Sequence, residues 1–180
     1  ILQTNSILMS NPFVSEDPGI RPKRPMMAFI LGNTMLSTVP GISGAGPSPK
    51  GTLLTPNLDA ELVTTGAITS VAARPNTPTG CPTPATIARS MVELTGLSPV
   101  LINAGLAHVP AVPCLDVYGS PGGDPRKEDA VPNATLLFER GEMVGRLLSQ
   151  YSDFLMLGEC VPGGTTTALC VLRALGYDAS

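Results

Sequence analysis

The sequence predicts an α/β protein: a layered, Rossmann-like, mainly parallel sheet with helices on both faces. Three observations carry this. Short apolar runs alternate with amphipathic stretches. The runs Met26–Leu31, Val100–Asn103 and Phe154–Leu157 each stop at small polar residues, respectively Gly32-Asn33-Thr34, Asn103-Ala104-Gly105 and Gly158-Glu159. The last run passes through a Pro-Gly-Gly turn into a threonine-led, apolar-periodic stretch, the pattern of strand, turn and helix.

Taken in order, residues 1–25 are rich in Pro, Ser and Asn and read as an irregular N-terminal arm. Residues 26–180 read as one domain, expected to be incomplete at its carboxyl end. Met26–Leu31 is a buried strand. Val39–Pro56, with four Gly and four Pro, is a long ordered loop of the kind that lines sites. Asp59–Ser70 reads as helix, then strand, and Pro75–Pro82 as a second Gly/Pro loop. Thr83 is placed to cap a helix with Ile87, Met91, Val92 and Leu94 on its apolar face and Gly96 as its stop. After the strand Val100–Asn103, residues 110–125 are loop again, tipped by Gly119–Asp124. The cluster Asp124, Arg126, Lys127, Glu128 and Asp129 reads as the solvated start of a helix. That helix spans Ala130–Gln150, with Leu136, Leu137, Met143, Val144, Leu147 and Leu148 at its apolar positions. A final helix runs from about Thr165 to Ala174.

Composition removes several function classes. The 180 residues are 43% hydrophobic with a mean hydropathy of +0.23, which argues against a disordered chain. Net charge is −3, the eleven Lys and Arg are scattered, and aromatic residues are 4%, so a nucleic-acid partner is not expected. No apolar run reaches the length of a membrane span. The four cysteines form no metal spacing and no redox pair, which fits a reducing cytoplasm; Cys160 and Cys170 read as small buried side chains, or Cys160 as a loop thiol. His108 is the only histidine. A His-rich metal site is thereby excluded and a Ser-His-Asp triad disfavoured; neither metal nor cofactor is expected.

The turn after Phe154–Leu157 gathers a carboxylate, small hydroxyls and backbone N–H groups. A helix start flanked by glycines suits phosphate, because its first amides lack internal partners and the helix dipole favours an anion. Glu159, at the strand's carboxyl end, is placed to hold a sugar hydroxyl or a polar ring edge. The turn lacks the lysine of a nucleoside-triphosphate loop and the glycine spacing of a dinucleotide fingerprint. The same residues also fit an ordinary strand-to-helix turn with threonine caps.

At Gly158-Glu-Cys-Val-Pro-Gly-Gly-Thr-Thr-Thr-Ala-Leu169 the chain resembles the nicotinate-nucleotide–dimethylbenzimidazole phosphoribosyltransferases, in their archaeal and cyanobacterial branch. Leu31-Gly-Asn-Thr34, Val39-Pro-Gly-Ile-Ser43, Thr77-Pro-Thr-Gly80, Asn103-Ala-Gly-Leu106 and Gly122-Gly-Asp124 resemble further segments, in the same order. The resemblance implies transfer of phosphoribose from nicotinate mononucleotide to 5,6-dimethylbenzimidazole, giving α-ribazole phosphate and nicotinate in assembly of the lower ligand of cobalamin. It implies that Gly158, Glu159, Gly163, Gly164, Thr165 and Thr166 line the nucleotide site. Gly41, Ile42 and Ser43 would border the base, and Gly80 to Thr83 would open a helix near the pocket. Asn33 and Asn103, at strand ends, are further substrate-binding candidates. Departures are Asn33-Thr34, where the better-known bacterial members carry Asp-His, and Cys160 and Pro162 in the turn.

Family members are longer, and the resemblance places their general base in the carboxyl-terminal half, which leaves Glu159 as the catalytic candidate here. The expected partners are the two small-molecule substrates and a second copy of the chain. The competing expectation is an inactive nucleotide-binding fragment or subunit completed by a second chain.

Overall fold

The computed structural model describes residues 19–76 and 80–179. Most of the expected arm and Thr77-Pro78-Thr79 therefore lie outside the described residues. Four parallel strands, β1 (Pro25–Leu31), β2 (Val100–Asn103), β3 (Leu115–Asp116) and β4 (Phe154–Cys160), form one sheet in the order β3-β2-β1-β4. Among the described residues four α-helices accompany it, α1 (Pro49–Thr65), α2 (Ala85–Thr95), α3 (Ala134–Tyr151) and α4 (Gly164–Ala174), with a 3-10 turn at Met35–Thr38. This is the α/β, Rossmann-like fold that the alternation predicts.

The two faces of the sheet follow from the side-chain alternation of β1. Met26, Ala28 and Ile30 pack with Ile102, Val117 and the α3 residues Leu137, Val144 and Leu148. Phe29 and Leu31 face the other way, onto Leu101, Ala60 of α1 and Ala85 of α2. Helices thus cover both faces.

Five expectations are corrected. The loop from Val39 ends at Ser48, because Ser48 accepts a hydrogen bond from Gly51 N at 3.1 Å and Pro49 suits the first helical position. The helix then runs on through Pro56, which is fully buried. No strand follows in Gly66–Ser70: Gly66 closes α1 in the left-handed conformation, and the Glu61 carboxylate gathers Thr69 and Ser70 into a turn, with both hydroxyls donating at 2.6 Å. Helix α2 starts after Pro84 without a side-chain cap, since Thr83 is turned to Asp59. Its buried face is Ala85, Ala88 and Val92, whereas Ile87, Met91 and Leu94 are exposed. Asp124 is buried, not a solvated helix start. Arg126 grips both its oxygens, chiefly through these bonds holding the carboxyl down to about 2, and α3 begins ten residues later. Lastly, Cys170 is exposed.

In α3, Leu137, Val144 and Leu148 pack inward while Leu136, Met143 and Leu147 form a second, exposed stripe. Exposed apolar residues recur on β4 (Leu157) and α4 (Val171, Leu172), and at Leu175 just beyond α4. Strand β4 is a sheet edge among the described residues. No helix is long and apolar enough to cross a membrane among the described residues.

Candidate functional site

The ends of β1 and β2 and the following loops are stitched into one rigid layer. Asn33 N donates to Gly105 O (2.9 Å), Ala104 N to Leu31 O (2.9 Å), Gly122 N to Asn33 O (2.8 Å) and Met35 N to Gly122 O (2.7 Å). On the other flank, Gly32 N reaches Cys160 O of β4 at 3.2 Å. The Gly119–Asp124 loop is part of this layer: a side chain on Gly119 would collide with the carbonyl of Ala104. Asn33 is a buried clamp, its Nδ2 donating to Leu53 O (3.1 Å) and its Oδ1 accepting from Ala107 N (2.8 Å). Asn103 closes its own loop, accepting from Gly105 N and Leu106 N and donating to Asp116. Both asparagines spend their side-chain polar groups on the scaffold.

Beside this layer opens a cavity of about 690 Å³, within the range of small-molecule sites. Its floor is Phe29, Leu31 and Leu101 of the sheet, and its walls are α1 and α2. Glu159, Cys160, Val161 and Pro162 line it at the end of β4, so this part of the carboxyl-terminal turn does border the cavity, as does Thr83. The Val39–Ser48 loop contributes Ala45, Gly46 and Pro47. Gly41, Ile42 and Ser43 do not line it: Gly41 is a left-handed turn residue, Ile42 N donates to Val39 O, and Ser43 Oγ accepts from Ala45 N. Gly80 is an exposed left-handed residue with open space around it.

Strand β4 extends to Cys160, so Glu159 sits on the strand rather than in the turn. Its side chain is exposed, and Oε2 lies 3.8 Å from where a Cβ on Gly164 would stand. Gly158 is demanded by Phe29 on the neighbouring strand, whose ring carbons lie 2.5 and 2.6 Å from a Cβ built there. Gly163 is left-handed and lies against Ser37. At the start of α4, Gly164 N donates to Val161 O and Thr166 N to Gly163 O, while the N–H groups of Gly163 and Thr165 make no hydrogen bond among the described residues. Thr165 and Thr166 border a second, shallower hollow on the outer side of α4. The turn therefore meets two places. Glu159 and Cys160 border the apolar cavity at the end of β4, Glu159 lying beside Ile30 and so leaving the strand on the α3 face, while Thr165 and Thr166 border the second hollow.

One residue that sequence reading passed over stands inside the cavity. Asp59 of α1 accepts from Thr83 Oγ1 at 3.0 Å and from Cys160 Sγ at 3.4 Å. Burial pushes its carboxyl above the ordinary aspartate range, outweighing those two bonds. Burial also pushes the Cys160 thiol up, helped by Asp59 and Glu159, so the thiol stays protonated and donates. A signal was available: Asp59 is an acidic residue flanked by Leu58 and Ala60. Among the described residues that line the cavity, Arg74 is the one cation. No group of metal ligands is present among the described residues.

Comparison with known proteins shows similarity along most of the chain. A UPF0284 protein of Methanosarcina acetivorans is 42% identical over 167 residues, covering 91% of this chain and 48% of that protein. The UPF0284 protein of Saccharolobus solfataricus is 40% identical over 152 residues, 84% of this chain and 44% of its own length. The chain is related to the archaeal UPF0284 proteins. It spans about half the length of the UPF0284 relatives it matches. No family model matches the sequence.

Proposed function

We propose that the chain contributes to phosphoribosyl transfer from nicotinate mononucleotide to 5,6-dimethylbenzimidazole, giving α-ribazole phosphate and nicotinate. The observation that carries this reading is the apolar cavity at the carboxyl end of a parallel sheet, with Asp59 among its lining residues and Glu159 on the strand end that borders it. Its apolar floor and walls suit a flat, poorly hydrated base. Arg74 supplies a positive charge for the carboxylate or phosphate of the nucleotide. In the reaction a ring nitrogen attacks the anomeric carbon, the new C–N bond forms as the bond to nicotinate breaks, and the departing electron pair neutralises the pyridinium. The resulting benzimidazolium releases its N–H proton to a base or to water. Glu159 is positioned to hold a ribose hydroxyl and to offset positive charge developing on the sugar. The unpartnered N–H groups of Gly163 and Thr165 are an anion-binding start for α4.

The alternative is a nucleotide-binding part that works only with a second polypeptide or the rest of a longer one. It is favoured by β4 being a sheet edge among the described residues and by the exposed Leu157, Val171 and Leu175. One experiment addresses both. The 180-residue chain and, in parallel, a complete UPF0284 relative are incubated with nicotinate mononucleotide and dimethylbenzimidazole, and products are read by mass spectrometry. α-Ribazole phosphate from either supports the transferase reading, product from the relative alone supports the alternative as well, and none from both refutes phosphoribosyl transfer.

A further inference from the structure

We propose that Asp59 is the polar anchor of the cavity and selects a planar, otherwise apolar heteroaromatic base by accepting a hydrogen bond from its ring N–H. The proposal deepens the transferase reading, which supplies only the choice of benzimidazole as probe; the class of ligand follows from the cavity.

The warrant begins with where Asp59 stands. Helix α1 presents Ala60 and Val63 to the same space, and Phe29, Leu31, Leu101, Ala85 and Ala88 complete the surroundings. A carboxylate among such neighbours loses hydration, and a scaffold compensates this with a cation or a full set of donors. Here neither is present. No ion pair to Asp59 occurs among the described residues, and its donors are one hydroxyl and one thiol. A carboxylate offers about four lone-pair sites, so two donors leave acceptor capacity turned toward the cavity. The same two donors fix its orientation, one from the residue before Pro84 and one from the end of β4. A partly buried carboxylate with a raised titration in an apolar cleft is a recurrent mark of a functional group.

The chemistry of the occupant follows by complementarity. Apolar walls reward a flat hydrocarbon-like surface. The Asp59 carboxylate opposes an anion near it and favours a neutral or cationic ring that donates. A benzimidazole donates through its one N–H and keeps the lone pair of its other nitrogen.

The test is a binding comparison on the intact chain by calorimetry, using benzimidazole, N-methylbenzimidazole and the isomer methylated on carbon. The carbon-methylated isomer controls for bulk. Benzimidazole and that isomer are expected to bind, and N-methylbenzimidazole to bind weaker by about tenfold or more, the scale of a lost hydrogen bond to a charged group. Asp59→Leu should abolish the difference while keeping an apolar wall. If that variant does not fold, the near-isosteric Asp59→Asn carries the same comparison and should at least halve the preference. The proposal is overturned if the N-methyl compound binds as well as benzimidazole, if the preference survives both substitutions, or if no benzimidazole binds at millimolar concentration. Asp59-dependent binding without product in the transfer assay would leave the anchor standing and remove the transferase reading. Product formation with binding indifferent to Asp59 would do the reverse.

Discussion

Gly158→Ala is the sharpest probe of how the carboxyl end of β4 is built. Gly158 pairs with Phe29 across the parallel ladder, and a methyl group there would lie 2.5 and 2.6 Å from two ring carbons. Ordinary contact begins at 3.4 Å, so ring or strand must move by close to an ångström. Phe29 cannot yield freely, because it packs with Leu31, Ala60 and Leu101 and also with Leu62, Val63 and Ala85. Overpacking of this kind costs about 1–3 kcal/mol. For a domain of this size that is a fall in Tm of about 2–12 °C. The assay is thermal unfolding of the native chain, Gly158→Ala, Phe29→Leu and the double variant. If the methyl–ring collision is the cause, the double variant recovers about 1 kcal/mol or more relative to the sum of the singles. A Tm unchanged in Gly158→Ala, or strictly additive losses, would refute the reasoning.

Three further predictions follow from buried or partly buried polar groups. Asn33→Ala should destabilise by about 2–4 kcal/mol in chemical denaturation, because Leu53 O and Ala107 N both lose their partner; unchanged stability with weakened nucleotide binding would instead make Asn33 a substrate residue. Glu61 is held at about 2, first by the Ser70 and Thr69 hydroxyls, against an ordinary value of 4.5. Its folded-state value is depressed, so its contribution is present above pH 4.5 and disappears as pH falls toward 2; Glu61→Gln should flatten the acid limb of a denaturation profile over that window. Asp59 is raised above 3.8 by burial, the opposite sign, so folding is favoured with the group protonated and weakens as pH rises past 3.8. Asp59→Asn should therefore raise Tm at neutral pH, with the gain shrinking on acidification below 3.8.

The strands β1, β2 and β4 and the helix after the Pro-Gly-Gly turn were legible because each is marked locally: an apolar run, a small polar stop, a glycine turn, a periodic apolar stretch. The short β3 carries no such mark; Leu115 and Asp116 are strand only because Ile102 and Asn103 lie beside them. Helix α1 was hidden by Pro49 and Pro56, whose composition signals loop, until Ser48 is seen to cap it.

For the site, the sequence by itself determined that small polar residues end three strands and that a carboxylate sits at the last of them. Only the tertiary structure decided which of these meet. Asn33 and Asn103 were drawn into the scaffold because backbone groups from loops far away in sequence needed partners. Ile87, Met91 and Leu94 were left exposed because α2 turns Ala85, Ala88 and Val92 to the core instead. Asp59 and Cys160, 101 residues apart, were placed in contact by the packing of α1 over the sheet. Periodicity reports which face of an element is apolar, but what that face or a polar group upon it touches is set by long-range packing, which no local pattern encodes.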